Sequence, residues 1–137
     1  MTVKRVSIIF GIFMILVLVS VPGCDKSDLD HGFLSGVITI GPLCPVETIP
    51  PSPACQPTAE TYKAYPVSVY TTDGEDRIAE LKPSLNGSYS TDLPPGKYIL
   101  ILDKSPEYLG SCNLPAKISI TERDTTKFDI SIDTGIR

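Results

Sequence analysis

The reactive side chains of this 137-residue sequence are few: four cysteines, one histidine, and small groups of acids and tyrosines. Cys24 stands at the end of an apolar run, directly behind Pro22 and Gly23. A thiol is the strongest nucleophile among the side chains once ionised, so a single one at such a seam is a candidate for covalent modification. Cys44 and Cys55 bracket CPVETIPPSPAC, a spacing that suits a disulfide. Closing a loop of roughly 12 residues removes about 3 kcal/mol of denatured-state entropy, less where prolines already stiffen it. Cys112 is then left over, either buried or available for an intermolecular bond. Zinc is the competing use of these thiols, but it takes four Cys or His ligands, often in close pairs. Here there is only His31 and no Cys-x-x-Cys pair. The expectation is no metal and no cofactor.

The remaining constellations are weaker. His31 follows Asp28 and Asp30, a group more in keeping with a solvated acidic tether than with a cation site. Asp73, Glu75 and Asp76 in TTDGEDR lack the span and the distal glutamate of a calcium loop, and read as a charged hairpin turn. One histidine supports no Ser-His-Asp set. Paired carboxylates for sugar hydrolysis stay open, because any two acids can meet in space. No tryptophan offers a sugar platform, which leaves Tyr62, Tyr65 and Tyr108, in two long loops, as the candidate ligand-binding residues. Loop packing is the plain alternative for all three. Asp133 and Arg137 are spaced to pair beyond the last apparent strand, for about 0–1 kcal/mol.

The elements that hold these residues begin with an export segment. Lys4 and Arg5 precede Val6 to Val21, apolar apart from Ser7, Gly11 and Ser20, the plan of a bacterial-type signal. A retained membrane span is the competing reading, since about 20 apolar residues cross a bilayer. Val21-Pro22-Gly23-Cys24 resembles the lipobox of bacterial lipoproteins, in which the cysteine receives a diacylglycerol; Pro22 departs from the usual Ala or Ser. The resemblance implies residues 1–23 as a lipoprotein signal peptide and a mature chain starting at lipidated Cys24. Residues 24–31 then form an acidic tether and 32–137 one domain. Removing Lys4 and Arg5 leaves ten basic against 16 acidic residues, net −6. That balance, with no basic run, excludes a phosphate-backbone reader: no nucleic-acid partner is expected.

Downstream the two-residue period dominates. Seven strands are expected: FLSGVITI; YPVSVYTT before the Asp73-Gly74 turn; RIAELKP; a strand at Tyr89 after Asn86-Gly87, a strong hairpin signal; Tyr98 to Leu102, apolar throughout, as for a strand buried on both sides; AKISITE; and TKFDISID. Short strands with regular turns and no convincing helix predict an all-β antiparallel Greek-key sandwich. Residues 41–66 hold seven of the 13 prolines and are expected to form a long irregular connection. Residues 103–115 are expected to form a second loop.

LPPGKYILIL, with GFLSGVITIGPLCPV and NGSYSTDLPPG, resembles the carboxypeptidase regulatory-like domains of the prealbumin-like (transthyretin-like) fold. The resemblance covers essentially residues 32–137. In the turn itself Pro95 presets φ and Gly96 is expected to supply a positive φ, while the Tyr98 hydroxyl seeks a partner. No catalysis comes with the resemblance. The hydroxyisourate hydrolase branch uses several histidines and a Tyr-Arg-Gly-Ser tail, whereas this chain ends Thr134-Gly135-Ile136-Arg137. Related pilin and adhesin domains form a Lys–Asn isopeptide bond from a lysine on the first strand, and FLSGVITIG has none. The expectation is therefore a non-enzymatic lipoprotein, anchored through Cys24 on the extracytoplasmic face of the cell membrane. It would serve as a structural or binding module at the cell envelope, displaying the 41–66 and 103–115 loops to an envelope protein or a cell-wall glycan. The alternative is an accessory subunit or enzyme acting on an envelope glycan or peptide.

Overall fold

The computed structural model describes residues 30–46, 48–107 and 109–137. The expected signal peptide, Cys24 and most of the tether lie outside the described residues, as does Tyr108. Within the described residues no helix is long and apolar enough to cross a membrane.

The first strand, β1 (Gly32–Gly41), sets the frame. Leu34, Ile38 and Ile40 alternate inward and are almost fully buried, while Phe33 and Val37 face out, the two-residue period of a pleated strand. Then follow a helical turn at Pro53–Cys55, helix α1 (Ala59–Ala64), and strands β2 (Val67–Thr71), β3 (Arg77–Glu80), β4 (Ser88–Leu93) and β5 (Gly96–Leu102). The last four are β6 (Ser111–Cys112), β7 (Ala116–Ile120), β8 (Thr125–Lys127) and β9 (Ile130–Asp133). One sheet has the order β4-β1-β9-β6 with β8 also on β1; the other runs β3-β2-β5-β7. The inner faces enclose one core that includes Leu34, Val69, Leu93, Leu100, Ile130 and Ile132. Each such side chain contributes about 1.5–3 kcal/mol through burial. The sandwich is the expected fold.

Several details differ from the sequence reading. The sheets are not purely antiparallel: β8 and β9 both run parallel to β1. Parallel neighbours need a long crossover, and here the whole of the second sheet lies between them in sequence. TKFDISID is two strands, broken at Phe128–Asp129. The cause is local. At the break the Phe128 carbonyl comes so close to Gly36 that a Cβ there would sit 1.9 Å from its oxygen. Val37 N–H donates to the Asp129 carboxylate (2.9 Å) instead of to a ladder carbonyl. The Tyr89 hydroxyl reaches across to the Phe128 carbonyl at 2.5 Å, so the carbonyl freed from the ladder is satisfied in the interior. A glycine inside a strand pattern marks this kind of close approach.

Asn86-Gly87 makes a turn, with Gly87 N–H on the Ser84 carbonyl at 2.8 Å and Gly87 left-handed at φ 81°, as Gly74 is at 77°. It does not close a hairpin, because β3 pairs only with β2 and β4 only with β1. The turn belongs to a crossover between sheets. The hairpin at Asp73-Gly74 is as read. Its acids act as turn formers: Thr71 Oγ1 and Glu75 N–H donate to the Asp73 carboxylate. Gly96 is not in the left-handed region. The corner is fixed instead by the Tyr98 hydroxyl, which donates to the Pro94 carbonyl at 2.7 Å. Residues 103–115 contain β6 and so are not all loop. The proline-rich connection contains α1, begun by a reciprocal cap between Thr58 and Thr61 of the kind that satisfies free N-terminal amides. β5 is buried on one face only: Tyr98 and Leu100 enter the core, and Ile99 and Ile101 are half-buried on the outer face.

Register fixes two poles. At one, residue 30 leads into Gly32, beside Leu93 of β4 and against Thr121. At the other lie Gly41 beside Asp133, Val67 beside Leu102, and Leu81, whose N–H donates to the Val67 carbonyl. Ten residues of β1 separate them, about 30 Å at strand rise.

Candidate functional site

The far pole carries a groove of about 320 Å³. Its first wall is α1. Tyr62 and Tyr65, three residues apart, take neighbouring positions at the helix end, and Pro66 continues the wall into β2. The opposite wall is the β3–β4 crossover, with Leu81, Pro83 and the exposed Leu85. Ile38 of β1 and Val67 of β2, both core residues, form the floor. Gly87 is required there: a Cβ would lie 2.3 Å from the Ile38 carbonyl oxygen and 3.1 Å from the Tyr62 hydroxyl.

Charge around the groove is mostly internally neutralised. Lys63 pairs with Glu60 at 2.7 Å, and Arg77 pairs with Glu80. Lys82, on the rim, has no ion-pair partner among the described residues. Neither the Tyr62 nor the Tyr65 hydroxyl makes a hydrogen bond to another described residue. Burial pushes the Tyr62 phenol above its ordinary pKa, so it stays a neutral donor. The arrangement offers aromatic and proline surface, two free hydroxyls and one cation. It suits non-covalent capture of an extended, largely apolar segment. Glu80, the acid on its wall, is already held by Arg77, so among the described residues no pair of free carboxylates converges there.

The remaining sequence candidates fall as follows. Cys44 and Cys55 form the disulfide, with Cα atoms 5.5 Å apart. It closes a loop on which Val46 and Ile49 are 75% and 101% exposed. Cys112 is a free thiol, half-buried, and its Sγ lies 3.5 Å from the Leu114 carbonyl. It also lines a second hollow with Ile101, Leu109 and Leu114. His31 meets Asp92 across the β1–β4 pair at 3.2 Å. Among the described residues no group of three or more His, Cys, Asp or Glu is arranged to hold a metal. Asp133 does pair with Arg137, at 2.8 Å. The Arg137 hydrogen bond and the Gly135 amide hold the Asp133 carboxyl below the ordinary range.

The two loops expected to act together leave the same pole but on opposite sides of β2. Asp103 N–H binds the Pro66 carbonyl on one side, while Leu81 binds the Val67 carbonyl on the other. The groove therefore joins the 41–66 connection to residues 81–85, and not to 103–115. The second wall was missed because its members are scattered in sequence. The available signal was Leu85, an apolar residue between Pro83 and Asn86-Gly87 in an otherwise polar turn. Loop 103–115 is tied down instead by Asp103, which accepts from Ser68 Oγ (2.5 Å) and Tyr70 Oη (2.7 Å). That hydrogen bond, first among its causes, raises the Tyr70 phenol pKa.

The chain folds as a two-sheet β-sandwich, and comparison with solved structures gives the same fold. The chain is similar to the minor pilin GBS52 of Streptococcus agalactiae, at 14% identity and a TM-score of 0.50 over 77% of this chain and 45% of that one. It is also similar to a DUF3823 family protein from Parabacteroides merdae, at 16% identity and a TM-score of 0.46 over 77% and 47%. A third is the major pilin subunit of Bacillus cereus, at 15% and 0.45 over 74% and 28%. The chain spans less than half the length of each, and the likeness is one of fold. No protein-family model matches the chain, and no curated protein matches it.

Proposed function

We propose that this chain is a non-enzymatic lipoprotein, a prealbumin-like domain of the carboxypeptidase regulatory-like kind, anchored through Cys24 on the outer face of the cell membrane. It acts as a structural or binding module of the cell envelope. One observation carries the reading: the chain enters the sandwich at one end of β1, and the groove and disulfide-closed loop lie at the other. A lipid anchor ahead of residue 30 would hold the domain with that pole about 30 Å from the tether junction. The exposed apolar residues Val46, Ile49 and Leu85 are then presented outward, to an envelope protein or a cell-wall glycan. Exposed apolar side chains gathered at one pole suit a contact surface.

The test has two parts on intact cells. Intact mass of the membrane-extracted protein should give a chain beginning at diacylglyceryl-Cys24; a chain retaining residues 1–23 would make the apolar run a span and Cys24 incidental. A photo-crosslinker at Leu85 should label envelope components strongly, and one at Lys97, at the tether pole, weakly. Equal labelling from both positions would refute an outward-facing site.

A further inference from the structure

We infer that the groove receives the proline-rich loop of a second copy of this chain, residues 46–53, and that two copies exchange loops reciprocally. The inference rests on the reading of the far pole as a contact surface and names its occupant.

The groove's chemistry narrows the choice. Tyr62, Tyr65, Pro66 and Pro83 give flat aromatic and pyrrolidine surface, and the two phenol hydroxyls bind no described residue. Proline-rich segments fit such walls well. Prolines limit the conformations that docking must freeze, and a carbonyl without an internal partner can accept from a phenol. Within residues 46–53 the carbonyls of Pro50, Ser52 and Pro53 already accept inside the loop, which leaves those of Ile49 and Pro51 unpartnered among the described residues. The chain itself carries such a segment at the same pole. Val46-Glu47-Thr48-Ile49-Pro50-Pro51-Ser52-Pro53 lies inside the Cys44–Cys55 ring. Ile49 makes no use of its side chain within one copy, being wholly exposed. The ring limits the conformations that must be lost on docking.

Charge selects the same pairing. The ion pairs Glu60–Lys63 and Arg77–Glu80 are closed within one copy, which leaves Lys82 as the uncompensated cation of the rim. Glu47 is the sole charged residue between Cys44 and Cys55. One negative charge in the loop thus answers one positive charge at the groove. Symmetry favours reciprocity: donor loop and receiving groove share one pole, so a single two-fold axis places each loop in the other copy's groove and closes the assembly as a dimer.

The test uses the detergent-solubilised full chain and a fluorescein-labelled, disulfide-closed peptide of residues 44–55. The peptide's anisotropy should rise saturably as protein is added. Binding should weaken at least about tenfold with an Ile49→Asp peptide, and by a similar factor with Leu85→Asp protein. Leu85 is 70% exposed, so that variant should melt like the parent. Absence of saturable binding, or equal binding to the Leu85→Asp protein, overturns the inference. So does a cross-link between Ile49→Cys and Leu85→Cys that forms within one chain and never between differently tagged chains, because the loop then fills its own groove. If the peptide fails to bind while the crosslinker at Leu85 still labels envelope components selectively, self-pairing falls and the module reading stands. Failure of both removes both.

Discussion

Tyr89 is expected to be the most informative single position in the core. It is 5% exposed, and its hydroxyl donates at 2.5 Å to the carbonyl of Phe128, the residue at which β8 gives way to β9. Tyr89→Phe removes one oxygen, leaves the ring and its packing, and opens no cavity of consequence. What it does leave is a buried carbonyl without its donor, at a cost of about 1–3 kcal/mol. For a domain of this size each kcal/mol moves the melting temperature by about 4–8 °C, so a fall of roughly 10 °C is expected at pH 7. The alkaline range gives an independent check. Burial first, then the negative charge of Asp129, pushes the Tyr89 pKa up to about 12. A phenol whose pKa is higher in the folded state holds its proton there after the unfolded chain has lost it. Its contribution is therefore complete below about pH 10 and is lost as pH rises from about 10 to 12. That loss amounts to about 2–3 kcal/mol at most. Urea unfolding followed by far-ultraviolet circular dichroism, at pH 7 and across pH 10–12, should show parent and variant well separated at neutral pH. The gap should close as pH rises. Equal midpoints at pH 7, or a gap that widens with pH, would refute the account of the β8–β9 break.

Gly36→Ala should be worse than Tyr89→Phe, because the new Cβ would lie 1.9 Å from the Phe128 oxygen and neither strand can yield; recovery of soluble, cooperatively unfolding protein at parental yield would contradict this. Replacing Cys44 and Cys55 together with serine should lower stability by no more than about 3 kcal/mol and leave the sandwich intact by circular dichroism, since the ring lies outside the core; loss of β structure would show that the loop is part of it. Arg137→Ala should raise the Asp133 pKa toward its ordinary value, because the guanidinium hydrogen bond is the largest cause of its depression. The parent's share of stability from this pair is present above the unfolded carboxyl pKa and lost as pH falls through the folded one; a carboxyl-carbon NMR titration with unchanged Asp133 would sink the assignment.

The strands were legible because alternation survives tertiary packing. Val67 and Val69, Ile118 and Ile120, and Ile130 and Ile132 all face the core as their spacing requires. The same alternation hid the break at Phe128–Asp129. There the side chains keep their faces and only the hydrogen bonding changes, with a carboxylate standing in for a backbone carbonyl. Gly36, 92 residues upstream of Phe128, was the sole trace of it. Helix α1 escaped notice because six residues with one buried side chain, Tyr62, are too few for a helical period to emerge among prolines. The groove was half legible. Tyr62 and Tyr65 were identifiable as loop aromatics. Their facing wall depends on which strands flank β2, and strand order is not written in local periodicity.

That dependence explains why the far pole is a surface with defined shape and not a set of free loops. β1 is paired along one edge by β4, over Gly32–Val37, and along the other by β8 and then β9, so its C-terminal end, Ile38–Gly41, is held by the parallel ladder with β9. Ile38, near that end, is the groove floor and a core residue at once. Its N–H binds the Gly87 carbonyl, which brings the 81–87 crossover against β1. Gly87 in turn admits the Tyr62 hydroxyl above it, which seats α1. The crossover wall is thus held directly by β1 and the α1 wall through Gly87, and the disulfide restrains the remaining chain between β1 and α1. Docking at this pole asks for little new order beyond that of the exposed loop side chains. The affinity of a partner would then depend on the fit of a few buried anchors more than on total area.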